Sequence, residues 1–161
     1  MILVTVGTQL GFDRLIRAMD AIQPGIGIEF VAQIGRGRFI PRRMDWAKTY
    51  SPADFEALTR RAALIVSHAG IGSVLAARRL GKPIVLLPRR ATLREHRSDH
   101  QLATARQLAD RKGIFVAIDE RELPGAIARG LACGEVEHGH PPELLRLQAA
   151  VSGFIGFGEL R

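Results

Sequence analysis

The stretch 67–90 reads SHAGIGSVLAARRLGKPIVLLPRR, and it decides the fold. It follows the apolar run 63–66, which reads as a buried strand. His68, Gly70 and Gly72 come next, and 73–80 forms a helical segment stopped by Gly81. The run 83–87 is a second strand, and it ends in Pro88, Arg89 and Arg90. Strand, glycine turn, helix and strand make a βαβ unit, whose strands lie parallel in one sheet.

The same alternation extends in both directions. Residues 2–6 are a β-branched strand closed by Gly7 and Thr8. Leu15, Ile16, Met19 and Ile22 are spaced for the apolar face of a helix over 13–22, which Pro24 and Gly25 are expected to break. Strands are expected at 28–34 and 46–50, with a basic, glycine-containing loop at 35–43. Ser51 is placed as an N-cap with Pro52 in the first turn of the helix that follows. Beyond residue 90, a helix over 99–112, a strand at 114–118 and helices at 120–131 and 142–151 complete the pattern. This predicts an α/β domain, Rossmann-like, with a mostly parallel sheet and helices on both faces. In such sheets ligands bind beyond the carboxyl ends of the strands. Gly7 and Thr8, the glycine turn and the segment 88–101 all fall at that edge.

Composition bounds the rest. The chain has 161 residues, 47% hydrophobic and 24% charged. That is enough for one domain over 1–161 with a proper core and too little for two. No window approaches the roughly 18 consecutive apolar residues that span a bilayer. MILVTVGT reads as a first strand and not as a secretory leader, so a cytoplasmic location is expected. The single Cys133 excludes a disulfide framework or a multi-cysteine zinc site within one chain. A net charge of +7 and a pI near 10.9 favour anionic partners.

Two glycines one residue apart, entering a helix, let main-chain amides approach a ligand with no Cβ in the way. The helix N-terminus adds free N–H donors and partial positive charge, a seat for phosphate or diphosphate. Leu75 stands where the dinucleotide fingerprint needs a third glycine, and arginines stand where it needs an acid. NAD is disfavoured on both counts. The lysine-bearing phosphate loop of ATPases is absent, as is any Asp-x-Asp for a metal-clamped diphosphate. Downstream, PRRATLREHRSDHQ (88–101) mixes acceptors Glu95, Asp99 and Gln101 with donors Arg90, His96 and His100, a set that suits a hydroxyl-rich sugar or ribose. It does not make a metal site.

These motifs resemble the donor-binding half of inverting GT-B glycosyltransferases, in the group containing the peptidoglycan lipid-linked N-acetylglucosaminyltransferase (glycosyltransferase family 28). The likeness rests on Gly7-Thr8, SHAGIGSVLAARRLGKPIVLLP and PRRATLREHRSDHQLATA, and covers roughly residues 1–130. It is closer still to the small subunit of two-part enzymes whose GT-B halves are separate chains, such as the bacterial exopolysaccharide glucuronosyl- and galactosyltransferases. The resemblance implies a single domain equal to the C-terminal half of a GT-B fold. It implies a hexosyltransferase that uses a UDP-sugar without metal or other cofactor. Gly70, Ile71, Gly72 and Ser73 would hold the diphosphate, with His68 alongside as a weak candidate for catalysis. Glu95, Asp99, His100 and Gln101 would address the sugar and ribose, Gly7 and Thr8 would line the cleft floor, and Arg89 or Arg90 could pair with a glucuronate carboxylate. Ala76 departs from the glutamate that many relatives use for the ribose. The acceptor would be a lipid-linked saccharide in surface or exopolysaccharide synthesis. A membrane-anchored acceptor-binding subunit would be the partner, holding this chain to the inner face of the plasma membrane. The apolar tail at 154–157 is a candidate contact for that subunit. Two other readings stand beside this one: a basic nucleic-acid-binding domain and an NADP-linked oxidoreductase.

Overall fold

The computed structural model describes residues 1–136. The expected helix at 142–151 and the tail at 154–157 lie outside the described residues. Strands β1 (Ile2–Thr5), β2 (Phe30–Gln33), β3 (Asp45–Ala47), β4 (Leu64–His68), β5 (Ile84–Leu87) and β6 (Ile114–Val116) form one sheet in the order β3-β2-β1-β4-β5-β6. Every pairing is parallel. The helices among the described residues are α1 (Asp13–Ile26), α2 (Pro52–Arg61), α3 (Ile71–Arg79), α4 (His100–Leu108) and α5 (Leu123–Cys133).

Strand residues alternate between the two faces, and each face has its own core. Ile2 and Val4 point into one with Leu15, Ile16 and Met19 of α1 and Ala126 and Ile127 of α5. Leu3 and Ile65 point into the other with Val74 and Ala77 of α3 and Ala105 and Leu108 of α4. Burial on both faces explains why β5 reads as an unbroken apolar run and why β1 and β2 are apolar up to their last residues, the buried Thr5 and Gln33.

Local chemistry sets the ends of the elements. Ser51 Oγ accepts from the amide of Asp54 at 3.1 Å, so the expected N-cap of α2 is in place with Pro52 behind it. Pro24 does not break α1. It lies in the last turn, where it removes only one intrahelical bond, and the helix runs on to Ile26 before Gly27 closes it at φ +70°. α3 begins two residues earlier than expected, at Ile71, because Gly70 serves as its N-cap. The segment expected as one helix from 120 starts with a 3-10 turn at Glu120–Glu122, and Pro124 then occupies the first turn of α5.

The strand order reverses between β1 and β4. Chains leaving those two strands turn to opposite faces and open a crevice at their carboxyl ends. The glycine turn, the β1–α1 loop and the segment after β5 converge there.

Candidate functional site

The crevice is a cleft of about 490 Å³. Thr5 and Gln33 form its floor: Gln33 Nε2 donates to Thr5 Oγ1 at 3.3 Å, and Gln33 Oε1 accepts from the amide of Tyr50 at 3.1 Å. Gly7, Thr8, Gln9 and Leu10 of the β1–α1 loop line one side, and Gly72 and Ser73 of α3 the other. Asp and Glu are missing from this lining among the described residues, while Arg89 is part of it.

The two glycines of the turn do different jobs. A Cβ on Gly70 would sit 2.2 Å from His68 Nε2, and one on Gly7 would sit 3.1 Å from His68 Cε1. Gly70 and Gly7 therefore make room for the imidazole, which packs between them. Gly7 also takes φ +73°, a left-handed conformation that favours glycine. Around a Cβ on Gly72, by contrast, nothing stands within 4 Å. Gly72 opens onto the cleft, and no side chain caps the start of α3. The amide of Gly70 is already committed to the carbonyl of His68 at 2.8 Å. The donors left for a ligand are thus the first-turn amides of Ile71, Gly72 and Ser73.

His68 Nδ1 lies 3.2 Å from Ser67 Oγ. Burial, and then the positive charge of Arg89, depress its pKa to about 4. The ring is neutral at pH 7 and a poor proton acceptor there. Because the folded-state value lies below the ordinary value of 6.5, stability is constant above that value and falls as the pH drops through the interval down to about 4. Urea unfolding at pH 7 and pH 5 is expected to differ by about 2 kcal/mol on account of this residue. His96 is depressed too, by burial and by His100, and adds to the slope. His68→Gln should remove only the first contribution, and an unchanged pH slope in that variant would overturn the assignment.

Arg89 was legible in the sequence only as one of a pair of arginines. It is 3% exposed. One nitrogen, Nη2, donates to the carbonyls of Val6 and Leu10, both at 2.8 Å, and Nε has no partner among the described residues. Its guanidinium carbon lies 5.1 Å from the Phe12 ring centre. Burial lowers its pKa to about 10, which leaves it charged at neutral pH. The main chain of Arg89 is held as well, its amide donating to Gln101 Oε1 at 3.0 Å.

The remaining expected residues divide. Gly7, Thr8, His68, Gly72, Ser73 and Gln101 line the cleft, with Gly70 and Ile71 at the adjoining helix start. Glu95 lines a neighbouring hollow with Gln9, Leu10, Arg94 and His96. Both its oxygens are engaged, by Arg14 Nε at 2.7 Å, Arg14 Nη2 at 2.9 Å and the amide of Arg90 at 2.9 Å. Arg90 reaches away to the carbonyl of Ile118. Asp99 accepts from the amide of Ala91 at 2.7 Å, and His100 meets Ser98 Oγ at 2.9 Å and the ring of His96. Arg90, Asp99 and His100 are not among the residues lining the cleft. Spacing gave no sign of Thr5, Gln33, Tyr50 and Phe55 as lining residues, because other strands and α2 bring them in.

The fold is that of one half of a GT-B glycosyltransferase, the C-terminal half. A solution structure of ALG13 superposes with a TM-score of 0.66 at 17% identity, covering 91% of this chain and 93% of that one. The glycotransferase of kitacinnamycin superposes at 0.61 with 19% identity, over 94% of this chain but 38% of the larger protein. SsfS6 from Streptomyces sp. SF2575, solved with thymidine diphosphate, superposes at 0.55 with 18% identity, over 94% of this chain and 36% of that one. Residues 1–132 match the glycosyltransferase family 28 C-terminal domain, and the chain belongs to that family. The human UDP-N-acetylglucosamine transferase subunit ALG13 is 32% identical over 125 residues, 71% of this chain. The match spans 11% of that protein's length.

Proposed function

We propose that this chain is the donor-binding subunit of an inverting glycosyltransferase that moves a sugar from a UDP-sugar to a lipid-linked saccharide. A separate, membrane-associated subunit supplies the acceptor site. One observation carries this reading: the uncapped start of α3, with Gly72 open to space, faces a cleft at the switch point of the sheet whose lining, among the described residues, has no Asp or Glu. Two features of the similar proteins support it. One is solved with a nucleoside diphosphate, and another is by name a UDP-N-acetylglucosamine transferase subunit. The chain covers 36–38% of those larger neighbours, the share that one half of a two-domain enzyme occupies.

In this mechanism the amides of Ile71, Gly72 and Ser73 receive the diphosphate, and Arg89 adds a buried positive charge to the same cleft. The acceptor hydroxyl attacks the anomeric carbon from the face opposite UDP. The bond to the β-phosphate oxygen breaks, and its electron pair stays on the departing diphosphate. Fixed amides and a cation in a low-dielectric cleft stabilise that growing charge. The general base is placed on the acceptor half: among the described residues no carboxylate lines the cleft, and burial beside Arg89 lowers the basicity of His68.

Calorimetry with UDP tests the site. Gly72→Val should weaken UDP binding by about tenfold or more while leaving the melting temperature nearly unchanged, because the new side chain enters open space. Undiminished binding in that variant would refute the seat. The purified chain should show little transfer, restored by the acceptor-binding subunit; full transfer by the chain alone would refute the split enzyme.

A further inference from the structure

The link from β2 to β3 contains no helix. It is an irregular strap, with a turn at 35–36 and bends at 38 and 42–44, pinned through its backbone to α1. The amide of Arg38 donates to Asp13 Oδ1 at 2.9 Å, and those of Arg42 and Arg43 donate to Asp20 Oδ1 at 2.9 and 2.7 Å. Phe39 packs against the core beneath the guanidinium of Arg17, 4.2 Å from its ring centre, and Met44 is buried. With the main chain fixed inward, the side chains of Arg36, Arg38, Arg42 and Arg43 are left exposed, as is Lys48 just beyond β3. These five cations enter no ion pair among the described residues. Asp45 is the one exposed acid of the segment 36–48.

Two large apolar side chains stand out among them. Ile40 is 46% exposed and Trp46 is 39% exposed. Trp46 is in register with Ala32, whose side chain belongs to the core on the α1 side, so Trp46 projects on the same side of the sheet as the strap. Unpaired arginines beside a tryptophan and an aliphatic crest suit an anionic lipid surface, where cations meet headgroups and apolar side chains enter the acyl boundary. A nucleic acid would use the cations and could stack on Trp46, but an exposed aliphatic side chain beside the cations is better matched by acyl chains.

We propose that the strap 36–43, together with Trp46 and Lys48, docks this chain directly on an anionic membrane surface. The surface is argued from its own charges and does not rest on the donor reading: vesicle binding can fail while UDP binds, and the reverse.

Trp46 is the single tryptophan of the chain, so its emission reports the contact. Vesicles containing about one third phosphatidylglycerol should bind the protein and shift its emission to the blue, and phosphatidylcholine vesicles should not. Binding should weaken steeply with salt. Arg42→Glu/Arg43→Glu should reduce binding about tenfold or more with an unchanged melting curve; Arg36→Glu/Arg38→Glu serves the same purpose if the first variant folds poorly. Salt dependence of the unaltered protein needs no variant at all. Absence of binding, equal binding to neutral vesicles, or binding unaffected by charge reversal would overturn the proposal. So would a single-stranded oligonucleotide that produces the same shift at the same salt and displaces the vesicles.

Discussion

Replacing Arg89 with methionine is expected to reduce UDP affinity by about 100-fold and to lower stability by no more than about 3 kcal/mol. Two opposing effects set the stability. Hydrogen bonds from a charged donor contribute about 1.5–3 kcal/mol each, and the substitution removes those to Val6 and Leu10. Burial of the guanidinium, however, costs about 3 kcal/mol, the equivalent of lowering its pKa from 12.5 to about 10. Methionine fills similar space and carries no charge, so that penalty disappears with the bonds. The remainder is a loss of up to about 3 kcal/mol, whereas the loss of UDP affinity comes from removing the arginine that lines the cleft. Calorimetric titration with UDP and thermal melting of the same sample separate the two quantities. A variant that melts many degrees lower yet binds UDP undiminished would show that Arg89 only ties down the β1–α1 loop.

Gly70→Ala is expected to destabilise the fold by about 1–3 kcal/mol, the usual range for forcing extra atoms into a filled space. The backbone is not the obstacle, since φ −92° is open to any residue. The obstacle is the imidazole 2.2 Å away, which the close approach of Gly7 on its other side prevents from retreating. Adding His68→Ala should recover most of the loss, a coupling that chemical denaturation of the two single variants and the double variant would measure. Additive losses would mean that the glycine serves the turn and not the ring.

These two residues also show what the sequence conveys and where it falls silent. The alternation of buried strands and amphipathic helices was legible because burial on both faces of a parallel sheet leaves unbroken apolar runs, and the turn at Ser67–Ser73 marked the ligand edge. The use made of each glycine was not legible. The turn shows two equivalent residues, but one accommodates a side chain and the other a ligand, a distinction set by where His68 points. The polar neighbours of Glu95 in the chain point to sugar hydroxyls. Its strongest partner, Arg14, lies far earlier in the sequence and is brought to it by α1. Pro24 reads as a stop in the sequence, but the rule against interior proline weakens within the last turn, and the local pattern does not say where that turn falls.

The position of β1 in the middle of the sheet has a bearing on how the chain comes to be folded. Ile2–Thr5 pairs on one side with Phe30–Gln33, but its other neighbour, Leu64–His68, is far downstream. During synthesis the central strand therefore waits with one row of amides and carbonyls bare, and its Leu3 side has only Phe55, Leu58 and Ala62 to bury against until β4, α3 and β5 emerge. Distant parallel pairings assemble slowly, and half-built sheets expose sticky edges. The nascent polypeptide is most in need of chaperone shelter in that interval, before the ligand crevice exists at all.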